Sequence, residues 1–178
     1  MNKNPKSSQC VLGIDPGLSG AVAMIDEDRN IITIQCTPTL VVKKGKGNRT
    51  VYVESAMTTI IEACKDSGTI VSIGIENVHA MPGQGVTSMF SLGLGYGLWI
   101  GIISALRLPH TRIEPQTWKK ALGIKSGSDK RASVARALQL FPRAYLMRSD
   151  RARVESDGMA DALLIAEYTR RMLNGSKA

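Results

Sequence analysis

The chain has 178 residues, of which 43% are hydrophobic, and its 23 Lys and Arg against 15 Asp and Glu give a net charge of +8. This length fits one domain with a buried core, and the hydrophobic content excludes a disordered chain. The basic balance favours a polyanionic partner. Three cysteines at spacings unlike any zinc pattern argue against a disulfide framework, and without an N-terminal signal pattern they indicate an intracellular protein.

The first third of the chain is typical of β-structure. Apolar runs at residues 11–14, 21–25 and 31–36 are joined by turn residues, which predicts three sequential antiparallel strands. Residues 38–53 follow, with β-rich ends around a basic, Gly-containing centre. A protruding hairpin and a solvated loop both fit this segment.

The middle of the chain alternates helix and strand patterns. Apolar residues at helical spacing cover residues 54–65, and the near-continuous apolar run at 70–75 predicts a central strand that is covered on both faces. The last third has a short strand near 111–113, a helical turn at 115–121, a basic helix at 129–140 and a final helix at 157–173. This order predicts an α/β domain with a mixed sheet and helices on both faces.

An uncharged segment of 21 residues, 86–106, has the length of a membrane span. It carries Gly93, Gly97, Gly101 and Ala105 at four-residue spacing, which is typical of close helix packing. Because the segment lies between parts of one α/β domain, we expect a buried or dimer-forming helix and no membrane. The domain is expected to cover residues 10–173, with flexible tails at 1–9 and 174–178.

Acidic residues end two of the apolar strands, at Asp15 and Glu76. Each fits a turn or loop residue when taken alone. Asp157 and Asp161 are four residues apart and therefore share one face of the last helix. That face continues through apolar positions, so it is predicted to be buried.

The buried face of the last helix continues through Leu164, Ile165 and Tyr168, whereas Glu167 and Arg170 are expected on the solvent side. Like charges that face into a domain need a cation. Carboxylates without clustered Cys or His suit Mg²⁺ or Mn²⁺, and two such ions about 4 Å apart support phosphodiester hydrolysis. The pattern therefore predicts a metal-dependent phosphodiesterase site.

A basic block occupies the stretch from Lys119 to Arg153, with ten basic residues against two acids. Both a solvated surface and a surface for a phosphate backbone fit such a block, and the adjacent acidic helix favours the second. Trp118, beside Lys119, fits either the core or a stacking surface. Trp99 and Tyr96 are predicted to be core residues.

Four motifs together resemble the RuvC family of Holliday-junction resolvases, within the RNase H-like superfamily. They are GIDPGLSGAVA at 13–23, IENVHA at 75–80, PQTWKKALGIKSGSDKRASVARAL at 115–138 and DGMADALLIAEY at 157–168. The resemblance covers about residues 10–172 and is strongest toward the chloroplast and phage-type members. It implies a five-stranded RNase H-like sheet, a homodimer formed through the Gly93/Gly97/Gly101 helix, and metal-dependent paired nicking of four-way junction DNA.

The resemblance also assigns roles to residues. The family's acids fall on Asp15, Glu76 and Asp161, and its catalytic lysines on Lys119 and Lys130. Where bacterial members carry a fourth ligand, three residues before the last Asp, this chain has Gly158, so Asp157 is the natural substitute and Glu155 a poorer one.

Two Mg²⁺ per active site are implied, with Mn²⁺ as a substitute, held by Asp15, Glu76, Asp157 and Asp161. A residue that stacks at the junction centre would here be His79. The candidate DNA contacts are Lys43, Lys44, Lys46, Arg49, His79, Lys120, Lys125 and Arg131.

Three other functions share parts of these motifs. A less selective nuclease on flaps, forks or hybrids would use the same acids, and a non-catalytic junction-binding module would use the same basic surface. An actin-like or sugar-kinase ATPase shares the GIDPGLSG pattern but needs a second such hairpin. A resolvase would act in the cytoplasm or nucleoid, in an organelle stroma, or in an infected host cell.

Overall fold

The structure is a computed structural model, and it describes residues 8–45, 47–80, 83–125, 127, 129 and 131–175. Its elements are β1 (Gln9–Asp15), β2 (Ala21–Asp26), β3 (Ile31–Cys36), β4 (Thr39–Lys44), β5 (Gly47–Tyr52), α1 (Glu54–Ser67), β6 (Thr69–Glu76), α2 (Val86–Ala105), β7 (His110–Ile113), α3 (Pro115–Ala121), α4 (Arg131–Leu140) and α5 (Asp157–Gly175).

A five-stranded sheet has the order β3-β2-β1-β6-β7. The first three strands pair antiparallel, whereas β1–β6 and β6–β7 pair in parallel. This confirms the expected mixed sheet of an RNase H-like α/β fold. The parallel pairing of β1 with β6 matters most for the site, because it brings the ends of two strands distant in sequence to one edge.

The two faces of the sheet bury separate apolar clusters. On β1, Val11 packs with α3, α4 and α5, while Leu12 and Ile14 pack with α1 and α2. This alternation follows from the two-residue period of a strand. Gly13 has the α5 backbone directly over it, so that a Cβ there would overlap the Ala162 carbonyl oxygen. The glycine therefore lets α5 lie against the centre of the sheet.

The segment 38–53 forms a two-stranded hairpin of β4 and β5, which settles the choice between hairpin and solvated loop. Its base is tied to the rest of the fold by Tyr52, whose side chain is buried. The Tyr52 hydroxyl donates to the Ser91 carbonyl of α2 at 3.0 Å and lies 3.5 Å from the Pro16 carbonyl oxygen. The hairpin thus starts beside the β1–β2 turn.

Helix α2 buries one face only. Gly95, Trp99 and Ile103 lie on the buried face, while Val86 is 84% exposed and Phe90 is 63% exposed. By length and composition alone, α2 is the one helix of the described residues that could cross a membrane. The uncharged pattern therefore did not distinguish a core helix from a helix with an open apolar face.

One prediction for α5 is wrong. Glu167 was expected on the solvent side, but its side chain is only 1% exposed. The reason is that α5 packs on the sheet and against α4, so it buries a wider arc than a single stripe. Arg170 and Arg171 each donate to the Glu167 carboxylate at 2.8 Å, which makes the burial of the charge tolerable.

Two short parts of the expected tails belong to elements, since β1 begins at Gln9 and α5 ends at Gly175. Residues 1–7 and 176–178 lie outside the described residues. Lys46 and Lys130, two of the candidate site residues, also lie outside them.

Candidate active site

Asp15 and Glu76 lie at adjacent strand ends. Ile14 of β1 pairs with Ile75 of β6, and each acid is the next residue of its strand. A tight turn follows Asp15, in which the Gly17 amide donates to Asp15 Oδ1 at 3.2 Å. A Cβ at Gly20 would overlap the Asp15 carbonyl oxygen, so the turn depends on glycine there. The sheet topology and this turn together place the two carboxylates at one edge.

The start of α5 packs directly onto the same turn. Gly158 is buried there, and a Cβ on it would overlap the Ser19 carbonyl oxygen. This contact explains why the chain has no side chain at the position of the bacterial fourth ligand: there is no room for one. Asp157 borders the neighbouring cleft, whereas Glu155 is exposed. The structure therefore places Asp157, rather than Glu155, beside the other acids.

The carboxylates influence one another electrostatically. Burial raises the pKa of Asp15 to about 7, and the charges of Glu76, Asp161 and Asp157 add to the effect. Burial also raises the pKa of Glu76 and of Asp161. A cluster whose acids resist ionisation in this way is a strong candidate for cation binding.

Lys119 partly offsets this charge. Its ammonium group lowers the pKa of both Glu76 and Asp161 against the effect of burial, so it lies near both. Its Nζ atom also lies 5.1 Å from the centre of the Trp118 ring. Lys119 therefore lies near two of the four carboxylates.

A cleft of about 890 Å³ opens beside α5. The cleft is lined by residues of α3, of the described part of the α3–α4 connection, of α4 and of the first turns of α5. They are Pro115, Gln116, Lys119, Lys120, Gly123, Ile124, Lys125, Gly127, Asp129, Ser133, Asp157 and Asp161. Three lysines and three carboxylates in one lining give the cleft the polarity expected of a site for a phosphodiester.

The donor set fits a hard divalent cation. Asp161 Oδ1 is buried and has no hydrogen-bond partner among the described residues. Carboxylate oxygens are the ligands that Mg²⁺ prefers. Among the described residues, no three His, Cys, Asp or Glu side chains are already arranged as a metal site. The acids thus share one region without forming a closed cage.

Apart from His79, the other described candidate DNA contacts lie on the hairpin and at the start of α4. Lys43 and Lys44 are exposed at the far end of the hairpin, Arg49 is half-buried on β5, and Arg131 is exposed at the start of α4. Six residues of strand place the hairpin end about 17–20 Å from Tyr52. The far end of the hairpin therefore lies well away from the β1–β2 turn that Tyr52 contacts.

His79 is exposed and held by neighbours. Its Nε2 atom lies 3.1 Å from Glu114 Oε2, and Asn77 donates to Glu114 Oε1 at 2.6 Å. The Tyr96 hydroxyl in turn donates to Asn77 Oδ1 at 2.9 Å. A stacking role for His79 at the junction centre remains a prediction.

Several residues of this region carried no clear signal in the sequence. Trp118 is fully buried and donates from Nε1 to Glu76 Oε1 at 3.0 Å, which resolves its ambiguous assignment in favour of the core. Ser133 makes a side-chain hydrogen bond with Asp161. Burial and the charge of Asp15 raise the pKa of Tyr52 to about 12. Sequence spacing does not reveal such contacts between distant elements.

Comparison with solved structures gives the same fold. Thermus thermophilus RuvC matches with a TM-score of 0.52 and 16% identity, over 92% of this chain and 96% of that one. T. thermophilus RuvC in complex with Holliday junction substrate matches with a TM-score of 0.54 and 14% identity, over 94% and 97%. The yeast mitochondrial Holliday junction resolvase Ydc2 matches with a TM-score of 0.58 and 14% identity, over 99% and 83%.

No protein-family model matches the sequence, and no curated protein matches it significantly. The identities to the solved structures are low, so the likeness lies in the fold and its topology. The matches cover 92–99% of this chain. This chain has the RNase H-like fold of the RuvC-type resolvases.

Proposed function

We propose that this protein is a Holliday-junction resolvase, an Mg²⁺-dependent endodeoxyribonuclease that makes paired nicks in four-way DNA junctions. The observation that carries the proposal is the convergence of four carboxylates from two strand ends and one helix. Two of them, Asp157 and Asp161, line a cleft that is also lined by three lysines. The fold shared with T. thermophilus RuvC and yeast Ydc2 supports the choice of substrate.

Asp15, Glu76, Asp157 and Asp161 would hold the divalent cations. Two such ions supply a nucleophilic water at neutral pH and charge stabilisation of the leaving oxygen. Lys119, next to Glu76 and Asp161, attracts the scissile phosphate to the acidic end of the cleft. Lys120 and Lys125 line the same cleft and bind phosphates on either side of it.

The decisive assay is cleavage of a synthetic four-way junction in Mg²⁺ by wild type, Asp15→Asn and Asp161→Asn. We expect each variant to lose more than about 100-fold in rate, since even residues behind metal ligands contribute 10–100-fold. Glu62→Gln, at an exposed position of α1, is the matched control and should cut like wild type.

The same assay separates the alternatives. Equal cutting by all four proteins would exclude the mechanism, and binding without cutting in Mg²⁺ or Mn²⁺ would indicate a junction-binding module. Equal rates on junctions, flaps and hybrids would indicate a less selective nuclease.

A homodimer through α2 belongs to the same proposal. Phe90 and Leu94 are exposed on this helix, and a Cβ added at Gly93, Gly97 or Gly101 would meet nothing within 4 Å. An apolar face with bare backbone suits a second copy of the helix better than solvent. Because two symmetric nicks need two sites, a dimer also fits the reaction.

The open glycine positions allow a clean test of the dimer. Gly97→Leu should leave the protomer folded and convert the dimer to monomer, as measured by light scattering. Ala63→Leu adds the same side chain at an exposed position of α1 and should leave the dimer intact. Recovery of wild type only with detergent or lipid would instead favour a membrane partner for α2.

A further inference from the structure

Trp118 contacts two members of the proposed site. Its side chain is fully buried in α3, in the core cluster shared with α5. Its Nε1 atom donates to Glu76 Oε1 at 3.0 Å, and its ring lies 5.1 Å from Lys119 Nζ. One rigid side chain therefore holds both an acid and a lysine.

The bond to Glu76 fixes the direction of that carboxylate. A hydrogen bond to an ionised acceptor is stronger than a neutral one, and it is strongest where water is excluded. An indole has only two side-chain torsions, and here both are fixed by packing. The N–H group therefore stays in place whether or not the other Glu76 oxygen binds a cation.

Lys119 is in contact with the face of the same ring. A cation above an aromatic face is attracted by the ring, more strongly where it is desolvated. Because the ring attracts the ammonium group, it limits direct pairing of Lys119 with the carboxylates. It keeps Lys119 next to the acids while leaving its N–H groups available to a phosphate.

The second tryptophan of the chain provides a contrast. Trp99 is also fully buried, but its Nε1 atom has no hydrogen-bond partner within the described residues. The fold thus uses one buried indole for packing alone. The paired donor of Trp118 is a specific feature of its place beside Glu76.

We propose that Trp118 is a positioning residue of the active site, which orients Glu76 for cation binding and holds Lys119 for the scissile phosphate. This inference rests on the proposed nuclease function. It assigns to α3 a role in the chemistry in addition to its role in the core.

The first test compares Trp118→Phe with Trp99→Phe on a four-way junction, at a temperature where circular dichroism shows both to be folded. Both variants remove one buried indole. Trp118→Phe should lower kcat by about 10–100-fold and raise the Mg²⁺ concentration for half-maximal rate, with KM for the junction within about threefold. Trp99→Phe should stay within about twofold of wild type in kcat.

The second test needs no cleavage. In Trp99→Phe, the emission of Trp118 should change on titration with Mg²⁺, because the charge on its carboxylate partner changes. Adding Glu76→Gln to this variant should abolish the change, and Trp118→Phe alone should show none.

The outcomes separate this inference from the proposed function. An active wild type with equal kcat in both tryptophan variants overturns the positioning role. If wild type cuts no junction, the fluorescence decides: a response that depends on both Trp118 and Glu76 supports the role, and no response overturns it.

Discussion

Helix α5 carries a buried acid, Glu167, and a partly buried acid, Asp161, which have opposite surroundings. At its carboxyl-terminal half, burial raises the pKa of Glu167, but hydrogen bonds from Arg170 and Arg171 outweigh it and hold the pKa below its usual range. At its amino-terminal half, burial raises the pKa of Asp161, and its Oδ1 atom has no hydrogen-bond partner among the described residues. The chain neutralises Glu167 with its own arginines, whereas Ser133 and Lys119 offset the burial of Asp161 only in part.

The contrast matters because both acids belong to one continuous helix. Arginines at helical spacing were available near Glu167, and Arg29 from the β2–β3 turn adds a third at 3.7 Å. Near Asp161 the described residues supply Lys119 as a cationic neighbour, which is shared with Glu76. Excess negative charge in a partly buried site destabilises the fold, so its retention indicates a function.

The largest expected effect is on activity. Asp161→Asn should reduce junction cleavage more than about 100-fold, whereas Glu167→Gln should change the rate less than about threefold at a temperature where it is folded. The two variants each replace one carboxylate of α5 by its amide. Similar losses of activity in both would break the distinction between the two halves of the helix.

The second effect is on stability, and here Glu167→Gln should have a larger effect than Asp161→Asn. Glu167→Gln leaves Arg170 and Arg171 without a charged partner and should lower the free energy of unfolding by about 2–4 kcal/mol at pH 7. Because the folded pKa of Glu167 is below its ordinary value of 4.5, this stabilisation is present above that pH and lost as pH falls through the folded pKa. Urea denaturation at pH 7 and pH 3 measures it, and an equal effect at both values would contradict it.

Asp15 should show the reverse dependence on pH. Its folded pKa of about 7 is above the ordinary 3.8, so the metal-free protein should lose stability as pH rises from about 4 to 7. Asp15→Asn keeps the acceptor for the Gly17 amide and should be more stable than wild type by about 2–4 kcal/mol at pH 8 in EDTA. At pH 3 the two proteins should be equally stable. A variant that is less stable than wild type at pH 8 would refute the raised pKa of Asp15.

Cation binding should remove that penalty. Addition of Mg²⁺ to 100 times its dissociation constant at pH 8 should stabilise wild type by about 2.7 kcal/mol. Asp161→Asn should respond weakly, while Glu167→Gln should respond like wild type. Thermal unfolding with and without EDTA measures this, and equal responses of all three proteins would place the cation elsewhere.

The smallest effect concerns the hairpin. Lys43→Ala with Lys44→Ala should weaken junction binding and reduce the slope of log K against log salt by up to about 1.8. Lys65→Ala with Arg107→Ala, at exposed positions on the opposite end of the sheet, is the matched control. An unchanged slope in the hairpin variant would remove β4 and β5 from the DNA interface.

The sequence was sufficient to predict the sheet and the positions of the acids. Strand ends and helical spacing are local patterns, so Asp15, Glu76 and the pair Asp157 and Asp161 could be found from periodicity. The hairpin and α2 were only partly predictable, since their patterns left two structures open. Glu167 was wrongly predicted to face solvent, because a helical wheel does not show how many neighbours surround a helix.

Long-range contacts account for the rest. The bond from Trp118 to Glu76 spans 42 residues of sequence, and its partners lie on different elements. The close approach of Gly158 to Ser19 likewise depends on the docking of α5 on the β1–β2 turn. Spacing within one segment contains no information on either contact.

The contact between Gly158 and Ser19 has a consequence for biosynthesis. The ribosome makes Asp15 and Glu76 long before Asp157 and Asp161, and α5 supplies half of the acids only when it docks on β1 and β2. Folding during synthesis proceeds from the amino terminus. A nascent chain that lacks α5 therefore has an incomplete set of acids, and the proposed nuclease would stay inactive until its last helix is in place.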